Sequence, residues 1–335
     1  MKKYIKQLYL YNKKKLKIVF AGTPNFAYIH LKKLIKEQYK IITVITKPDQ
    51  PAGRGLNIQK SPVKILAEKN KIPILQPSNL TNKNIVKIIK KLKADIIIVI
   101  AYGIIIPKKI LNIFPLGGIN IHPSLLPKWR GPAPIQWAIL KGDKKTGITI
   151  IQMNEFIDKG KIICVFKCKI KKKDTNGTLY KKLSIIGKKA LIYILNKLLF
   201  LKKMTNEKQN IKKQKYAKKF KKTDGKINWN DEAEKIERQI KALQPWPGSY
   251  FKIKNKIIKI WKAKASKYNS DKKIEPGKII LINKNEIHVQ TKKDVIIITE
   301  LQFPGYKITA IKKIQKENKR LFEKYFQINY KIKKK

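Results

Sequence analysis

Residues 117 to 136 read GGINIHPSLLPKWRGPAPIQ, a short apolar segment followed by a loop rich in proline. Asn120 and His122 stand two apart in the apolar segment, so on a strand both side chains emerge on the same face. The loop that follows is stiff and partly aromatic, and it leads into a helix that begins with proline. The stretch therefore predicts that the Asn120 amide, a hydrogen-bond donor, lies beside the titratable ring of His122. The loop that follows can form one side of a binding site for a flat ligand. Asn and His at a strand end also cap and join turns, so the pair alone leaves both interpretations open.

The segments on either side of this stretch alternate between apolar strands and amphipathic helices. LKIVFAG (16–22), IITVIT (41–46), IPIL (72–75) and ADIIIVIA (94–101) predict strands, and helical patterns separate them. Such alternation is typical of an α/β fold with an open, mostly parallel sheet of the Rossmann-like kind. In such sheets ligands collect at the carboxyl ends of the strands, which is where His122 falls.

The length of the chain and its change in composition predict two domains. With 335 residues and 39.0 kDa the chain is long enough for two cores. We expect a first domain over 16–200, a basic linker over 201–224 rich in lysine, asparagine and glutamine, and a second domain over 225–330. The short β-rich runs of the second domain predict a small, OB-like β-barrel. Residues 1–15 are expected to be a basic extension.

The charge of the chain points to a polyanionic partner. Lys and Arg number 79 against 21 Asp and Glu, giving a net charge of +58 and a pI near 10.2. Nucleic acid is the obvious candidate, although an AT-rich coding bias would also enrich lysine. The two cysteines, Cys164 and Cys168, lack a further cysteine or histidine nearby, which fits neither a zinc site nor a disulfide framework. No apolar run approaches the roughly twenty residues that a membrane helix needs, and no signal peptide is recognisable.

A second unusual loop, KPDQPAGRGLNIQK (47–60), is rich in proline, glycine and basic residues. Gly53 and Gly55 flank Arg54 and free the backbone around it. Loops of this length in compact domains are usually functional or disordered, so Arg54 is either a ligand contact or a solvated charge.

The loop NEFIDKG (154–160) supplies a carboxylate, Asp158, as a partner for the Asn120 and His122 pair. An amide, an imidazole and a carboxylate together suit the transfer of an acyl group between amines. When an amine attacks a formamide carbonyl, charge develops on the oxygen, and an amide donor with a nearby histidine stabilises it. The carboxylate would orient the imidazole and help receive the proton of the attacking amine.

At these residues the sequence resembles the family of formyltransferases that use formyltetrahydrofolate, in the branch that acts on methionyl-tRNA. The resemblance covers Lys17 to about Tyr250. It rests on six motifs in order: FAGTPNFA, KPDQPAGRG with SPVK, AYGIIIP, INIHPSLLPKWRGPAPIQ, DTNGTLYKKL and PWPGSY.

The resemblance implies transfer of the formyl group of 10-formyltetrahydrofolate to the α-amine of methionine on initiator tRNA, without a metal. It implies that Asn120, His122 and Asp158 are catalytic, and that the folate contacts are Ser124, Leu125, Leu126 and Pro127. Arg54 would grip the acceptor end of the tRNA, and the linker and second domain would meet its phosphates. The expected setting is a monomer in the bacterial cytoplasm.

Two departures and two alternatives accompany this interpretation. Phe156 stands where the family usually has glycine, which predicts a strained or altered backbone before Asp158. Lys161 replaces a commonly acidic residue. A sister enzyme that formylates a small amine, such as glycinamide ribonucleotide or an amino-sugar nucleotide, is the first alternative. The second is an RNA-binding relative that has lost catalysis.

Overall fold

The computed structural model describes residues 16–51, 57–201, 206–253, 255–268 and 274–317. The chain separates into two compact units. The first contains the described residues of Met1–Pro134, Lys144–Ile170 and Leu179–Lys218, and the second those of Ile135–Asp143, Lys171–Thr178 and Lys219–Lys335.

The first unit is built on a mixed sheet of seven strands in the order β5-β2-β1-β6-β7-β8-β9. The pairings among β5, β2, β1, β6 and β7 are parallel, and β8 and β9 continue the sheet antiparallel. A separate hairpin of β3 and β4 lies outside this sheet. The strands are β1 Lys17–Gly22, β2 Lys40–Ile45, β3 Gln50–Pro51, β4 Ile58–Gln59, β5 Ile74–Leu75, β6 Ile96–Ile100, β7 Gly118–His122, β8 Lys145–Gln152 and β9 Lys161–Lys169.

Apolar strand sequences explain why this sheet forms. All five residues of β6 are buried, and five of the six in β1. A strand that is buried on both faces is typical of a parallel sheet covered by helices. The order of the parallel strands reverses between β1 and β6, and open α/β sheets bind ligands near such a reversal, at the carboxyl ends of the strands.

Helices connect the parallel strands, and local sequence sets where they begin. α2 begins at Pro62 after Ser61, whose hydroxyl accepts a hydrogen bond from the backbone of Lys64. α1 buries side chains three and four residues apart, among them His30 and Leu34. The helices are α1 Asn25–Lys36, α2 Pro62–Lys69, α3 Lys83–Lys91, α4 Lys108–Leu111, α5 Pro134–Leu140, α6 Asn176–Leu201, α7 Ala233–Ala242 and α8 Ile311–Glu317.

The second unit contains an antiparallel sheet in the order β10-β11-β14-β13-β12, with β15 paired to β14. Its strands are β10 Ser249–Ile253, β11 Lys256–Ser266, β12 Ile279–Ile282, β13 Ile287–Gln290, β14 Val295–Gln302 and β15 Thr309–Ala310. Alternate residues of β13 and β14, together with Ile236 and Ile240 of α7, form its core. The predicted fold class, an open mostly parallel sheet with a second, smaller β domain, is confirmed.

The segment predicted as a linker contains ordered contacts in its described part. Glu207 exchanges two backbone hydrogen bonds of 2.8 Å with Ile162 of β9, and residues up to Lys218 belong to the first unit. The domain limits 16–200, 201–224 and 225–330 stay a prediction. In the part of the chain that the structure describes, no helix is long and apolar enough to cross a membrane.

Candidate active site

The end of β7 and the loop between β8 and β9 bring the three predicted catalytic side chains together. The amide nitrogen Nδ2 of Asn120 donates to Oδ1 of Asp158 at 3.1 Å. Nδ1 of His122 lies 3.5 Å from the same oxygen. The side chains of His122 and Asp158 are only 6% and 10% exposed, so water screens their interaction weakly. An amide, an imidazole and a carboxylate therefore meet at one point, as the sequence predicted.

The His122 ring is fixed between two acceptors. Its Nε2 lies 2.8 Å from the carbonyl oxygen of Trp129. A carbonyl oxygen can only accept, so Nε2 carries a proton and donates. The other nitrogen, Nδ1, faces the Asp158 carboxylate. Both ring nitrogens thus face oxygen atoms, one on the Trp129 backbone and one on the Asp158 carboxylate, and these two contacts set the orientation of the ring.

Asp158 is held in a backbone conformation that non-glycine residues rarely adopt. Its φ is +52°, in the left-handed region. Its Oδ2 accepts a hydrogen bond of 2.8 Å from the backbone nitrogen of Gly131, while Oδ1 faces Asn120 and His122. The strain predicted at Phe156 is not found there, because Phe156 does not have a positive φ.

Two glycines allow the loops to approach one another closely. A Cβ on Gly160 would lie 1.9 Å from the carbonyl oxygen of Gln152, at the end of β8. Gly131 has a φ of +107°, and a Cβ there would lie 2.9 Å from the ring of Tyr216. A side chain at Gly160 would therefore push the Asp158 loop away from the end of β8, and one at Gly131 would push against Tyr216.

The segment Ser124–Pro127 forms a rigid wall after β7. The Ser124 hydroxyl is buried and donates to the carbonyl of Lys128 at 2.6 Å, so it is used inside the loop. Thr149 of β8 donates its hydroxyl to the Ser124 carbonyl at 2.6 Å and accepts from the Leu126 nitrogen at 3.1 Å. The Leu126–Pro127 peptide bond is cis. Contact of folate with Ser124, Leu125, Leu126 and Pro127 stays a prediction.

Sequence profiles of known families match both parts of the chain. The sequence profile described as Formyl transferase matches residues 14–195, more than half of the chain. The profile described as Formyl transferase, C-terminal domain, matches residues 219–319. This chain belongs to the formyl transferase family. The predicted family is thereby confirmed, and the two profiles together match the N-terminal and C-terminal parts of the formyltransferase.

Individual relatives are similar in sequence to this formyltransferase along nearly its whole length. The methionyl-tRNA formyltransferase of Buchnera aphidicola subsp. Acyrthosiphon pisum is 49% identical over 310 residues, which cover 92% of this chain and 98% of that protein. The methionyl-tRNA formyltransferase of Wigglesworthia glossinidia brevipalpis is 46% identical over 310 residues, covering 92% and 97%.

A solved structure supports the fold independently. The N-formyltransferase from Helicobacter canadensis, in complex with folinic acid and dTDP-3-aminofucose, superposes with a TM-score of 0.63. It is 22% identical in sequence, and the match covers 84% of this formyltransferase and 98% of that chain. At this identity the likeness shows the fold.

The structure also brings to the formyltransferase site a group that sequence reasoning missed. Arg130 is buried, with 3% of its surface exposed, and it binds two glutamine side chains from the predicted linker, Gln209 and Gln214. Burial lowers the pKa of Arg130, and the negative charge of Asp158 opposes that shift. The only feature of the sequence that pointed to these contacts was glutamine among the lysines of 206–218, and that composition is typical of a linker.

Arg54, the predicted tRNA contact, lies outside the described residues, but the base of its loop is firmly attached. β3 pairs with β4, so Gln50 lies opposite Gln59. Asp49 binds Lys64 of α2 at 2.5 Å, and Gln76 donates to the Lys47 carbonyl at 2.8 Å. The described residues on both sides of this loop are therefore held in place by backbone and side-chain contacts.

Metal ligands do not cluster in the described residues of the formyltransferase: no group of three or more His, Cys, Asp or Glu side chains is placed to hold an ion.

Proposed function

We propose that this chain transfers the formyl group of 10-formyltetrahydrofolate to the α-amino group of methionine on initiator methionyl-tRNA. The observation that carries the proposal is identity of 49% with a methionyl-tRNA formyltransferase along 98% of that protein's length. The convergence of Asn120, His122 and Asp158 supports it, because those groups suit formyl transfer between amines.

The reaction exchanges one carbon–nitrogen bond for another. The methionine nitrogen bonds to the formyl carbon, the bond from that carbon to N10 of the folate breaks, and the products are formylmethionyl-tRNA and tetrahydrofolate. One proton leaves the attacking amine, and one proton is delivered to N10. Between these bond changes the formyl oxygen carries negative charge, so the site must supply donors to that oxygen and an acceptor for the proton.

Asn120 and His122 are the proposed stabilisers of the oxygen. One N–H of the Asn120 amide donates to Asp158, which leaves the second N–H of the same nitrogen to donate to the substrate. The ring of His122, held by the Trp129 carbonyl, lies beside the same carboxylate as Asn120 and is the second proposed stabiliser of the oxygen. Removing one such donor typically lowers turnover by about a hundredfold to a thousandfold.

Asp158 is the proposed acceptor of the amine proton. Its carboxylate is nearly excluded from water and receives hydrogen bonds from Asn120 and from the Gly131 backbone. These bonds orient one oxygen towards His122, so Asp158 and His122 can share the proton on its way to the leaving nitrogen.

The remaining partners follow from the same proposal. The wall of Ser124, Leu125, Leu126 and Pro127 holds the folate, which is a co-substrate, and no metal takes part. The net charge of +58 draws the tRNA phosphates, with Arg54 at the acceptor end. We also propose that the enzyme acts as a monomer in the bacterial cytoplasm; its relatives in Buchnera and Wigglesworthia are bacterial proteins.

The test offers three acceptors to the purified protein with 10-formyltetrahydrofolate as donor: initiator methionyl-tRNA, glycinamide ribonucleotide and an amino-sugar nucleotide. We expect rapid formylation of methionyl-tRNA and little transfer to the other two. Preferred formylation of either small amine, or binding of tRNA without transfer, would contradict the proposal. The same assay with His122→Ala shows whether the transfer uses this site.

A further inference from the structure

Gln209 bridges the buried Arg130 and the loop that carries Asp158. Its Nε2 donates to the carbonyl oxygen of Asp158 at 2.8 Å and to that of Gly160 at 2.7 Å. Its Oε1 accepts from Nε of Arg130 at 3.1 Å and from Nη2 at 2.6 Å. One side chain from the predicted linker therefore joins the loop after β7 to the loop between β8 and β9.

The orientation of the Gln209 amide is fixed by its four partners. A carboxamide has two N–H groups and two acceptor lone pairs, and here all four are used. Rotating the amide by half a turn would set its oxygen against two carbonyl oxygens and its N–H groups against two guanidinium N–H groups. The Gln209 amide therefore fixes the position of the Asp158 backbone carbonyl relative to Arg130.

Arg130 is a firm base for this contact. Its Nη1 donates to Oε1 of Gln214 at 2.5 Å. Its backbone nitrogen donates to the Lys215 carbonyl at 3.0 Å, and its carbonyl accepts from the Ala217 nitrogen at 2.7 Å. A buried guanidinium that lost Gln209 would keep unpaired N–H groups, which is unfavourable.

Asp158 needs such support because its backbone is strained. A left-handed φ of +52° is unfavourable for a residue with a side chain, and it persists where the surroundings enforce it. Gln209 holds the backbone carbonyl of Asp158, while the Gly131 nitrogen holds its carboxylate. The two contacts act at opposite ends of the same residue and together set the direction of Oδ1.

We propose that Gln209 is a positioning residue for the reaction, acting through Asp158 by holding the loop of residues 158–160 in the geometry that joins Asp158 to His122 and Asn120. This inference rests on the proposed function, which assigns Asp158 its role. It gives the segment 206–218 a part in building the site.

Two substitutions separate the contacts that Gln209 makes. Gln209→Met keeps the length of the side chain and removes all four hydrogen bonds. Gln209→Glu keeps an acceptor for Arg130 but sets a carboxylate against the carbonyls of Asp158 and Gly160. We expect both variants to lower kcat for formylation of methionyl-tRNA by about 10- to 100-fold, the scale of a misplaced catalytic group, with little change in KM. The matched control, Gln214→Met, removes a partner of Arg130 without touching the loop and should lower kcat far less.

A double-mutant cycle with Asp158→Ala shows whether the effect passes through Asp158. In the Asp158→Ala background, Gln209→Met should cost little further activity, because the group that it positions is gone. Equal losses in both backgrounds, or a wild-type rate in Gln209→Glu, would overturn the proposal. Thermal unfolding of every variant is measured in parallel, and each rate in the cycle is divided by the fraction of that variant that is folded.

A readout that does not need activity keeps this inference distinct from the proposed function. The chain contains three histidines, so 15N-labelled histidine gives a simple spectrum. Asp158→Ala should move the Nδ1 resonance of His122, and both Gln209 variants should move it in the same direction, whereas Gln214→Met should not. An unmoved resonance in the Gln209 variants would overturn the inference. Failure of the wild type to formylate methionyl-tRNA would instead refute the proposed function.

Discussion

His30, in the middle of α1, makes the stability of the first unit depend on pH. It is fully buried, and its Nδ1 lies 2.7 Å from the carbonyl oxygen of Phe26, so Nδ1 carries the proton and donates. Nε2 has no hydrogen-bond partner among the described residues. A Cβ on Gly187 would come within 2.5 Å of Nε2, so the pocket is tight. Protonation of His30 would therefore place a positive charge in a packed site without an acceptor.

The size of the effect follows from the shifted pKa of His30. Burial lowers this pKa from 6.5 to about 4, the hydrogen bond to Phe26 opposes the shift, and the positive charge of Lys188 adds to it. Between these two values the unfolded chain binds a proton that the folded chain excludes, so stability falls as the pH falls. The contribution is fully present above pH 6.5 and is lost towards pH 4. Between about pH 7.5 and about pH 5 it amounts to about 2 kcal/mol.

The variant His30→Met isolates this contribution, because it fills a similar volume and does not titrate. Urea unfolding of the wild type and the variant is measured at several values between about pH 7.5 and about pH 5. Other titrating groups act equally on both proteins, so the difference in the free energy of unfolding reports His30 alone. We expect the wild type to lose about 2 kcal/mol relative to the variant over this range. A difference that does not change with pH, or that changes in favour of the wild type at acid pH, would refute the reasoning.

Two further predictions concern the loops around the site. Gly160→Ala should lower kcat at least about tenfold and leave folate binding unchanged, because its Cβ would meet the Gln152 carbonyl at 1.9 Å and displace the Asp158 loop. Single-turnover formylation measures this effect. The control Gly177→Ala, whose Cβ has no neighbour closer than 3.8 Å, should be near neutral. Arg54→Ala should weaken the use of methionyl-tRNA by about 1–3 kcal/mol in kcat/KM and leave slow hydrolysis of the folate unchanged; a wild-type rate would place the tRNA contact elsewhere.

The sheet, and the strand face that Asn120 and His122 share, could be predicted from the sequence for physical reasons. Buried parallel strands are continuous apolar runs, as in IIIVI of β6, and they can be recognised without any knowledge of their partners. Asn120 and His122 lie two apart on one strand, so their common face follows from geometry. Asp158 was the carboxylate of the loop 154–160, the family resemblance pointed to the same residue, and the structure brings its carboxylate to both side chains.

The contacts around Arg130 could not be predicted, because no local pattern encodes them. Gln209 lies 79 residues after Arg130 and 51 after Asp158, in a segment whose composition resembles that of a flexible linker. Its role depends on where the chain passes after α6, which periodicity does not indicate. The strain was assigned to Phe156 for a related reason: the sequence shows which residue is unusual, but φ depends on how the loop closes, and the left-handed residue is Asp158.

The most direct test of the proposed chemistry is single-turnover formylation of initiator methionyl-tRNA by His122→Ala, measured together with equilibrium binding of a folate analogue. His122 lies between the Trp129 carbonyl and Asp158, so its loss removes a proposed stabiliser of the formyl oxygen and leaves the hydrogen bonds within Ser124–Pro127 in place. We expect the transfer rate to fall about a hundredfold or more while folate affinity stays near the wild-type value. Formyl transfer by His122→Ala at close to the wild-type rate would contradict the account.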